Sequence, residues 1–510
     1  MKSIRIKNLR SLKDTNDIEF RGLTVLVGEN SAGKSTLIRT FPLIKQSIET
    51  ETTTPFLWYG NYVDFGSFKE SLNKDNENQI VFNFKLRTQV NRIFARRYAY
   101  RGIYGKNTID MSISIWLEER EKNDYVSRIN LIVEDNEIDI NIGKKDKIEK
   151  LTINSEDFTS MVKDNIVVTV GRGIIPIIVN NDNVESNISH YRIYREDNKF
   201  QQELVSFLAS NVNVNTSFPR IMQIISSFII ASKVQFVENI KKIDVGLKSW
   251  SKFTKSIKED EIAFIRNLFL GSLLQVMLEF LSDSIGNFYR EAYYIAPVRA
   301  NAERYYRIQN LSVDSVDFQG RNLPMLLANL SDRKKEEFSK WVQKYFGFGI
   351  KLQVTEGHIS VNVIKEKVTV NMADCGFGYS QILPIITQLW LLTYKKGSNT
   401  FNKDLTLIIE QPELHLHPKL QANLIDAFIN CIFVGRQAGI NLRIVIETHS
   451  ETIINRIGYL IYKNKFSKED VNIYIFNKLN TNETEVVQGR YDDEGYLDNW
   501  PSGFFDPKEE

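Results

Sequence analysis

The run Leu23-Thr24-Val25-Leu26-Val27-Gly28-Glu29-Asn30-Ser31-Ala32-Gly33-Lys34-Ser35-Thr36 decides the fold of this chain. Its first five residues predict a short buried strand, and the residues from Thr36 onward predict a helix. The glycine-rich loop between them ends in Gly-Lys-Ser, a pattern that wraps nucleotide phosphates in backbone N–H groups at the positive end of a helix. The stretch therefore predicts an α/β fold with a phosphate-binding loop.

The chemistry of this loop indicates ATP and Mg²⁺ as its ligands. We expect Lys34 to reach the β- and γ-phosphates and the Ser35 hydroxyl to hold Mg²⁺. Gly28 and Gly33 let the backbone turn close to the phosphates. The residues predicted to contact the nucleotide are Gly28, Glu29, Asn30, Ser31, Ala32, Gly33, Lys34, Ser35 and Thr36. A glycine-rich turn that binds nothing is the alternative.

Length and composition limit the class of protein. The chain has 510 residues, which is more than one core usually supports, so we expect two or three structural units. Its net charge of +2 means that any nucleic-acid site must be a local patch. Two cysteines, Cys375 and Cys431, and a start without an apolar signal core favour the reducing cytosol. Because no run of about 18 uninterrupted apolar residues occurs, we expect a cytoplasmic protein without membrane contact.

Three motifs in the second half complement the loop in the first. Residues 405–409 predict a buried strand that ends at Glu410, where a nucleotidase places its Mg²⁺ ligand. Residues 442–447 predict another strand, and His449, which follows it, is a candidate sensor of the γ-phosphate. A glycine-serine loop at 374–381 precedes a predicted apolar helix over 382–392, so it forms a second anion site. The residues assigned to this second site are Gly378, Ser380 and Gln381.

The order of these four motifs resembles the ABC-type ATPase heads of the SMC, RecF and OLD group. Further stretches are similar to a bacterial subfamily of AAA-type ATPases with a short C-terminal region, found among phage-defence operons: Gln46-Ser47, Gly60–Phe68, Tyr294–Arg299, Glu303–Tyr306 and Trp500–Asp506. The resemblance covers roughly residues 1 to 85 and 290 to 510. It predicts two halves of one ATPase head, 1–85 and 291–510, with a mixed sheet, a P-loop helix and an inserted β-plus-helical region at 86–290.

The resemblance implies an assembly and a set of roles. Two subunits of such heads sandwich ATP, so Ser380 is expected to face the γ-phosphate held by Lys34 of a partner, and function requires a homodimer or higher oligomer. Gln46 would be the loop glutamine that binds Mg²⁺ together with Ser35 and Glu410, and His449 would be the switch.

One position departs from the usual pattern of these heads. A glutamate that orients the attacking water normally follows the metal carboxylate, whereas this chain has Gln411. Three explanations stay open: natural use of Gln411 with slow turnover, replacement of the base by Glu413 or another group, or a deliberate Glu-to-Gln change. Positioning and charge neutralisation supply most of the catalysis in phosphoryl transfer, so weak hydrolysis can survive without a strong base. We expect turnover slower than about 1 per second.

The paired histidines His415 and His417 do not favour a zinc site. A structural zinc ion needs four ligands, and the chain has five histidines and two well-separated cysteines. We expect the histidines either to contact a partner subunit near the nucleotide or simply to start a helix before Pro418.

The inserted region contains a basic stretch and, after it, predicted strands and helices. A basic stretch interleaved with aromatic residues is a candidate nucleic-acid surface, and a basic loop that covers the head explains it nearly as well; its candidate contact residues are Arg92, Arg96, Arg97, Arg101 and Lys106. Alternating strands at 111–117 and 138–142 follow, and then apolar stripes at helical spacing over 201–212, 218–243 and 260–289. These stripes fit core packing, or a helical arm or lid.

We therefore expect an ATPase that senses nucleic acid or a phage product and controls a separate effector. Residues 450–510 are too short for the nuclease domain of OLD nucleases, so the effector, an HNH nuclease or a toxin, would be another subunit, as in Septu-type pairings that sometimes include a retron. The alternatives are a RecF-like ATP-dependent DNA-repair protein and a nucleotide-gated scaffold with little turnover.

Overall fold

The computed structural model describes residues 1–75, 78–89, 108–121, 123–163, 165–168, 173–180, 198–213, 216–309, 312–366, 368–394, 403–480 and 482–500. The strands are β1 (Ser3–Leu9), β2 (Leu12–Asp14), β3 (Ile18–Glu19), β4 (Leu23–Gly28), β5 (Gln79–Gln89), β6 (Thr108–Arg120), β7 (Asn123–Val133), β8 (Asn136–Ile142), β9 (Ile148–Ile153), β10 (Glu156–Asp157), β11 (Asn165–Val168), β12 (Ile177–Asn180), β13 (Ala292–Ile295), β14 (Tyr306–Arg307), β15 (Gly349–Thr355), β16 (His358–Lys365), β17 (Val368–Asn371), β18 (Lys403–Glu410), β19 (Ile440–Glu447), β20 (Val471–Lys478) and β21 (Thr484–Gly489).

The helices in the described part of the chain are α1 (Lys34–Glu49), α2 (Phe68–Ser71), α3 (Lys199–Val212), α4 (Phe218–Ile225), α5 (Lys233–Lys242), α6 (Lys248–Ser256), α7 (Glu259–Arg290), α8 (Leu323–Ala328), α9 (Asp332–Phe346), α10 (Phe377–Tyr394), α11 (Pro418–Gln437) and α12 (Glu451–Tyr462). The α/β prediction is confirmed, and so is the helix that directly follows the phosphate-binding loop.

A mixed sheet carries the loop. Its strand order is β13-β18-β19-β4-β20-β21, with parallel pairing throughout except for the antiparallel β20–β21 pair. All six residues of β4 are buried because both faces of this strand are covered. The register pairs Glu410 with Glu447 and Glu447 with Leu26. The carboxyl ends of β18, β19 and β4 therefore meet at one edge, where α1 begins.

A second, antiparallel sheet joins the first residues of the chain to the inserted region. Its order is β10-β9-β8-β7-β6-β5-β1-β2, with β3 paired to β1. The alternation of buried and exposed residues along β6 matches a sheet with one covered face. The predicted boundary after residue 85 falls inside β5, which pairs with both β1 and β6. Hydrogen bonding in one sheet leaves no linker at that point.

Helix α7 is the central element of the first hydrophobic core. Its buried side chains pack with those of α1 and of the antiparallel sheet. By length and composition α7 is apolar enough to cross a membrane, with a mean hydropathy of 1.4, but 56% of that window is buried inside the protein. Core packing therefore accounts for its apolar character. The predicted stripe over 218–243 is divided between α4 and α5.

A second core lies on the other face of the mixed sheet. It gathers α9, α10, α11 and α12 against the side chains of β4 that point away from α1. A small sheet of β14, β16, β15 and β17 adjoins it. Leu26 belongs to the first core, whereas Val25 and Val27 belong to the second. The strand that leads into the phosphate-binding loop is thus held from both sides.

Candidate nucleotide site

The loop from Gly28 to Ser35 has the backbone that phosphate binding requires. Gly28 has φ 153°, and a Cβ there would overlap the backbone carbonyl of Phe476. Gly33 adopts the left-handed conformation, with φ 88°, as the N-cap of α1. The first turn of α1, all of which the structure describes, has no acidic side chain and no side-chain cap. Its backbone N–H groups are therefore suited to an anion.

Lys34 lies along the loop itself. Its Nζ donates hydrogen bonds to Gly28 O at 2.9 Å and to Glu29 O at 2.6 Å. Burial lowers the pKa of Lys34, although Glu447, Glu413 and Glu29 oppose this effect. The ammonium group of Lys34 therefore lies within the loop that the sequence predicts to bind phosphates.

Ser35 contacts a carboxylate that sequence reasoning did not assign. The Ser35 hydroxyl donates to Oε1 of Glu447 at 2.8 Å. Glu447 is 2% exposed, and its Oε2 is buried with no hydrogen-bond partner among the described residues. Burial, together with the nearby charge of Glu410, raises the pKa of Glu447 to about 7. Its place at the end of an apolar strand was a usable signal, since it is the same signal that selected Glu410.

Glu410 is bound by Arg39 and Tyr294. Arg39 donates from Nε to Oε1 at 2.9 Å and from Nη2 to Oε2 at 2.8 Å, while the Tyr294 hydroxyl donates to Oε1 at 2.5 Å. The hydrogen bond to Glu410 raises the pKa of Arg39, and burial raises that of Tyr294. This bidentate pair neutralises a carboxylate that is almost fully buried. The sequence around Arg39 does not predict this role, because the two partners are 371 residues apart.

Gln411 follows Glu410 in an uncommon backbone conformation. Its φ is 44°, and its N–H donates to Glu447 O at 2.9 Å. Arg299, which is 3% exposed, donates from Nη2 to Glu410 O at 2.8 Å and to Gln411 O at 3.3 Å. Burial lowers the pKa of Arg299 to about 10. This arginine therefore fixes the turn that places Gln411 beside the strand end.

His449 and Glu413 lie on the same side of the site. Glu413 Oε1 accepts a hydrogen bond from the His449 backbone N–H at 2.8 Å. Burial raises the pKa of Glu413, whereas burial and the charge of Lys34 lower the pKa of His449. Thr448, the residue before His449, donates its N–H to Leu26 O at 3.0 Å, so His449 lies near the start of the loop. The structure thus brings together Lys34, Ser35, Glu410, Gln411 and His449.

Gln46 does not join them, and the contacts of its side chain do not support its predicted role as a Mg²⁺ ligand. Helix α1 continues to Glu49, so Ser35 and Gln46 are eleven residues apart on one helix, a separation of about 16 Å. Two ligands of one Mg²⁺ lie within a few ångströms of each other. Instead, the buried Gln46 amide donates to Leu57 O and Val63 O and accepts from the N–H groups of Tyr62 and Val63. These hydrogen bonds hold the segment from Leu57 to Val63 against α1.

The glycine-serine motif opens α10 and packs within its own subunit. The Ser380 hydroxyl donates to Phe377 O at 2.8 Å, and Gln381 Nε2 donates to Arg299 O at 3.4 Å. A Cβ at Gly378 would lie 3.0 Å from His415 O, so this glycine permits close packing. Arg299 therefore connects the motif to the turn at Gln411. Phe377, at the start of the helix, is 63% exposed.

One residue of the histidine pair starts a helix. His417 is the N-cap of α11, where its Nδ1 accepts the Lys419 N–H, and Pro418 occupies the first turn. Among the residues that the structure describes, no group of three or more His, Cys, Asp or Glu side chains is placed to hold a metal ion. The predicted nucleic-acid residues Arg92, Arg96, Arg97, Arg101 and Lys106 lie outside the described residues.

The residues present fit a magnesium ion bound together with a nucleotide. Mg²⁺ in such sites takes one or two carboxylates, a hydroxyl, phosphate oxygens and waters. Ser35 and Glu447 supply a hydroxyl and a carboxylate side by side. Bound Mg²⁺ would neutralise the charge that develops on the phosphates.

Two family models match the chain. The model of the AAA ATPase domain matches residues 1–454, and that of a protein of unknown function (DUF3696) matches residues 467–509. No curated protein matches the chain.

Similar solved structures include three SMC heads. The SMC head bound to the C-winged helix domain of ScpA is 10% identical, with a TM-score of 0.36 over 96% of each chain. The SMC head with an extended coiled coil bound to the C-terminal domain of ScpA, derived from Pyrococcus furiosus, is 8% identical, with a TM-score of 0.37 over 96% of this chain and 95% of that chain. The SMC head domain from Thermotoga maritima is 8% identical, with a TM-score of 0.34 over 95% of this chain and 97% of that chain.

Proposed function

Because this chain belongs to the AAA ATPase domain family, we propose that it binds Mg-ATP at the Gly28–Ser35 loop and hydrolyses it slowly. The observation that carries the proposal is the meeting of the loop with two strand-end carboxylates, Glu410 and Glu447, at one edge of the mixed sheet. Lys34 binds phosphate oxygens, Ser35 and a neighbouring carboxylate hold Mg²⁺, and the N-terminus of α1 stabilises the negative charge.

The slow turnover follows from Gln411. A glutamine side chain cannot accept the proton of the attacking water, so it can only orient that water. The half-buried carboxylate of Glu413, whose Oε1 accepts the His449 N–H, is a candidate base on the same turn. Gln411 also supports the alternative function, a nucleotide-gated scaffold, because a site without a strong base holds ATP for longer.

The assembly and the biological role are further parts of the proposal. Two copies sandwich ATP, with Ser380 of one copy facing the phosphates on the other, and the ATP-bound oligomer senses nucleic acid or a phage product in the cytoplasm. The oligomer then controls a separate nuclease or toxin subunit. The motif order and the similarity to ATPases of phage-defence operons support this role, and the exposed start of α10 at Phe377 leaves room for a partner.

The test is ATP hydrolysis and molecular mass, each measured with and without Mg-ATP. We expect Lys34→Ala to abolish hydrolysis and the ATP-dependent increase in mass, because the variant lacks the phosphate-binding ammonium. Gln411→Glu should raise turnover at least about tenfold by restoring a proton acceptor. Lys69→Ala, which removes an exposed lysine on α2, is the matched control and should behave as wild type. If wild type and Lys34→Ala are indistinguishable in both measurements, the ATPase proposal fails.

A further inference from the structure

We propose that Glu447, and not Glu410, is the carboxylate that holds the nucleotide's Mg²⁺ together with Ser35. This inference rests on the proposed function, since the metal arrives with the nucleotide. It assigns the metal to the strand next to the phosphate-binding loop, one strand closer than the motif order in the sequence suggests.

The first argument is the spacing of the two oxygens. Octahedral Mg²⁺ has metal–oxygen bonds of about 2.1 Å, so two neighbouring ligand oxygens are about 3.0 Å apart. Ser35 Oγ and Glu447 Oε1 are 2.8 Å apart. A metal ion can therefore bind both oxygens with little movement of either side chain.

The second argument is the strand order. β19, which ends at Glu447, pairs directly with β4, whereas β18, which ends at Glu410, is one strand further away. Neighbouring strands are about 4.8 Å apart, so the backbone of β18 at Glu410 is about 9.6 Å from the backbone of β4. Glu447 is paired with Leu26, two residues before the first glycine of the loop.

The third argument is that Glu410 is already neutralised. Arg39 occupies both of its oxygens, and the Tyr294 hydroxyl adds a bond to Oε1. A metal ion at Glu410 would have to displace the bidentate Arg39 side chain. The guanidinium group would then lie next to the metal ion, and the two positive charges would repel each other. Arg39 lies one turn after Ser35 on α1, so the Arg39–Glu410 pair acts as a positioning contact between the helix and the sheet.

The fourth argument is the free oxygen of Glu447. Its Oε2 is buried in a residue that is 2% exposed, and it has no partner in the described part of the chain. A buried carboxylate oxygen without a hydrogen bond costs free energy, which a cation or its bound water repays. Since the described residues hold no group of three or more acidic, histidine or cysteine side chains that could bind a metal ion, the site completes its shell with phosphate oxygens and water.

The test measures equilibrium binding of a fluorescent ATP analogue to the full chain in Mg²⁺ and in EDTA. We expect Mg²⁺ to tighten binding to wild type, and Glu447→Gln to remove about 10- to 100-fold of that tightening while binding in EDTA stays intact. Glu356→Gln, which changes an exposed carboxylate between β15 and β16, is the matched control and should keep the full tightening. Glu410→Gln tests the rival ligand and should keep more of the tightening than Glu447→Gln does. Mn²⁺ bound with ATP, followed by electron paramagnetic resonance, should change its spectrum in Glu447→Gln and not in Glu410→Gln.

The outcomes separate the inference from the function on which it rests. If wild type binds no nucleotide in either buffer, the proposed function fails. If wild type shows the Mg²⁺ effect, Glu447→Gln keeps it and Glu410→Gln loses it, the metal belongs to Glu410 and the inference is overturned; loss in both variants also overturns the exclusive assignment. Glu447→Asp retains the charge on a shorter side chain, so it serves if Glu447→Gln fails to bind in EDTA, and it should show a weakened Mg²⁺ effect.

Discussion

At the scale of single residues, the site is a set of buried charges that neutralise one another. Arg39 faces Glu410, Lys34 lies near Glu447 and Glu413, and Arg299 lies near Glu413 and Glu410. A buried charge without a partner is costly, so each of these groups depends on the presence of the others. Substitutions here therefore change the charge state of neighbours as well as the contact that is removed.

Gln46 provides a prediction at this scale. Gln46→Leu removes the hydrogen-bond partner of Leu57 O and of the Tyr62 and Val63 N–H groups, while Val63 O keeps its bond from the Gly60 N–H, so the substitution should lower the free energy of unfolding by about 3 kcal/mol. The Mg²⁺ dependence of nucleotide binding should be unchanged, because Gln46 is far from Ser35 on α1. Denaturant unfolding and nucleotide titration measure the two effects.

The exposed Gln353 on β15 offers a control for this substitution. Gln353→Leu should alter stability by no more than about 0.5 kcal/mol. A Gln46→Leu protein of wild-type stability that has lost its Mg²⁺ response would restore Gln46 as a metal ligand.

At the scale of elements, close backbone contacts attach the C-terminal segment to the ATPase fold. Gly458 on α12 touches the backbone of Gly495, which has φ 81°, so neither position has room for a Cβ. The Tyr491 hydroxyl donates to Ile454 O at 2.8 Å on the same helix. Residues 490–500 thus pack on α12 through a contact that only two glycines allow.

Gly458→Ala should therefore detach this segment. The added methyl would overlap the Gly495 carbonyl, and we expect a loss of about 1–3 kcal/mol with faster proteolysis after residue 489. Gly286→Ala on α7 is the matched helical control, because its Cβ would meet only the end of the Arg290 side chain at 3.3 Å. That variant should be as stable as wild type or more stable by up to about 1 kcal/mol. Equal proteolysis of the two variants would contradict the packing argument.

At the scale of the whole molecule, α1 connects the nucleotide loop to the inserted region. Phe41 packs against Tyr289 of α7, with ring centroids 5.5 Å apart. Lys45 donates to Arg290 O at 3.0 Å and to Ala292 O at 2.7 Å, where α7 ends and β13 begins. A movement of α1 on nucleotide binding would therefore be transmitted directly to α7.

The inserted sheet also makes the stability of the molecule depend on pH. Asp124 on β7 is 6% exposed, and burial raises its pKa to about 6. The folded state binds this proton more tightly than the unfolded state does, so stability falls as pH rises from about 4 to 6 and stays lower above that. The loss is at most about 3 kcal/mol.

Asp124→Asn should remove this loss. We expect the variant to melt at a higher temperature than wild type at pH 8 and at about the same temperature at pH 4. Asp146→Asn changes an exposed carboxylate in the same region and should shift neither melting temperature. A difference between Asp124→Asn and wild type that is constant with pH would contradict the assignment.

Local pattern in the sequence determined the phosphate-binding loop, the α/β class and the strand ends that carry Glu410 and His449. These features depend on glycine spacing and apolar runs within a few residues, so they can be recognised without knowledge of tertiary contacts. The same patterns selected both Glu410 and Glu447 as strand ends and could not say which is nearer Ser35.

Only the tertiary structure decided that Glu447 is the carboxylate next to Ser35. It also decided three other features: the contacts of Gln46, the pairing of Arg39 with Glu410, and the sheet that joins residues on both sides of position 85. Each depends on strand order or on where a helix ends. Strand pairing is chosen by packing between segments hundreds of residues apart, because every buried apolar strand satisfies the same local pattern.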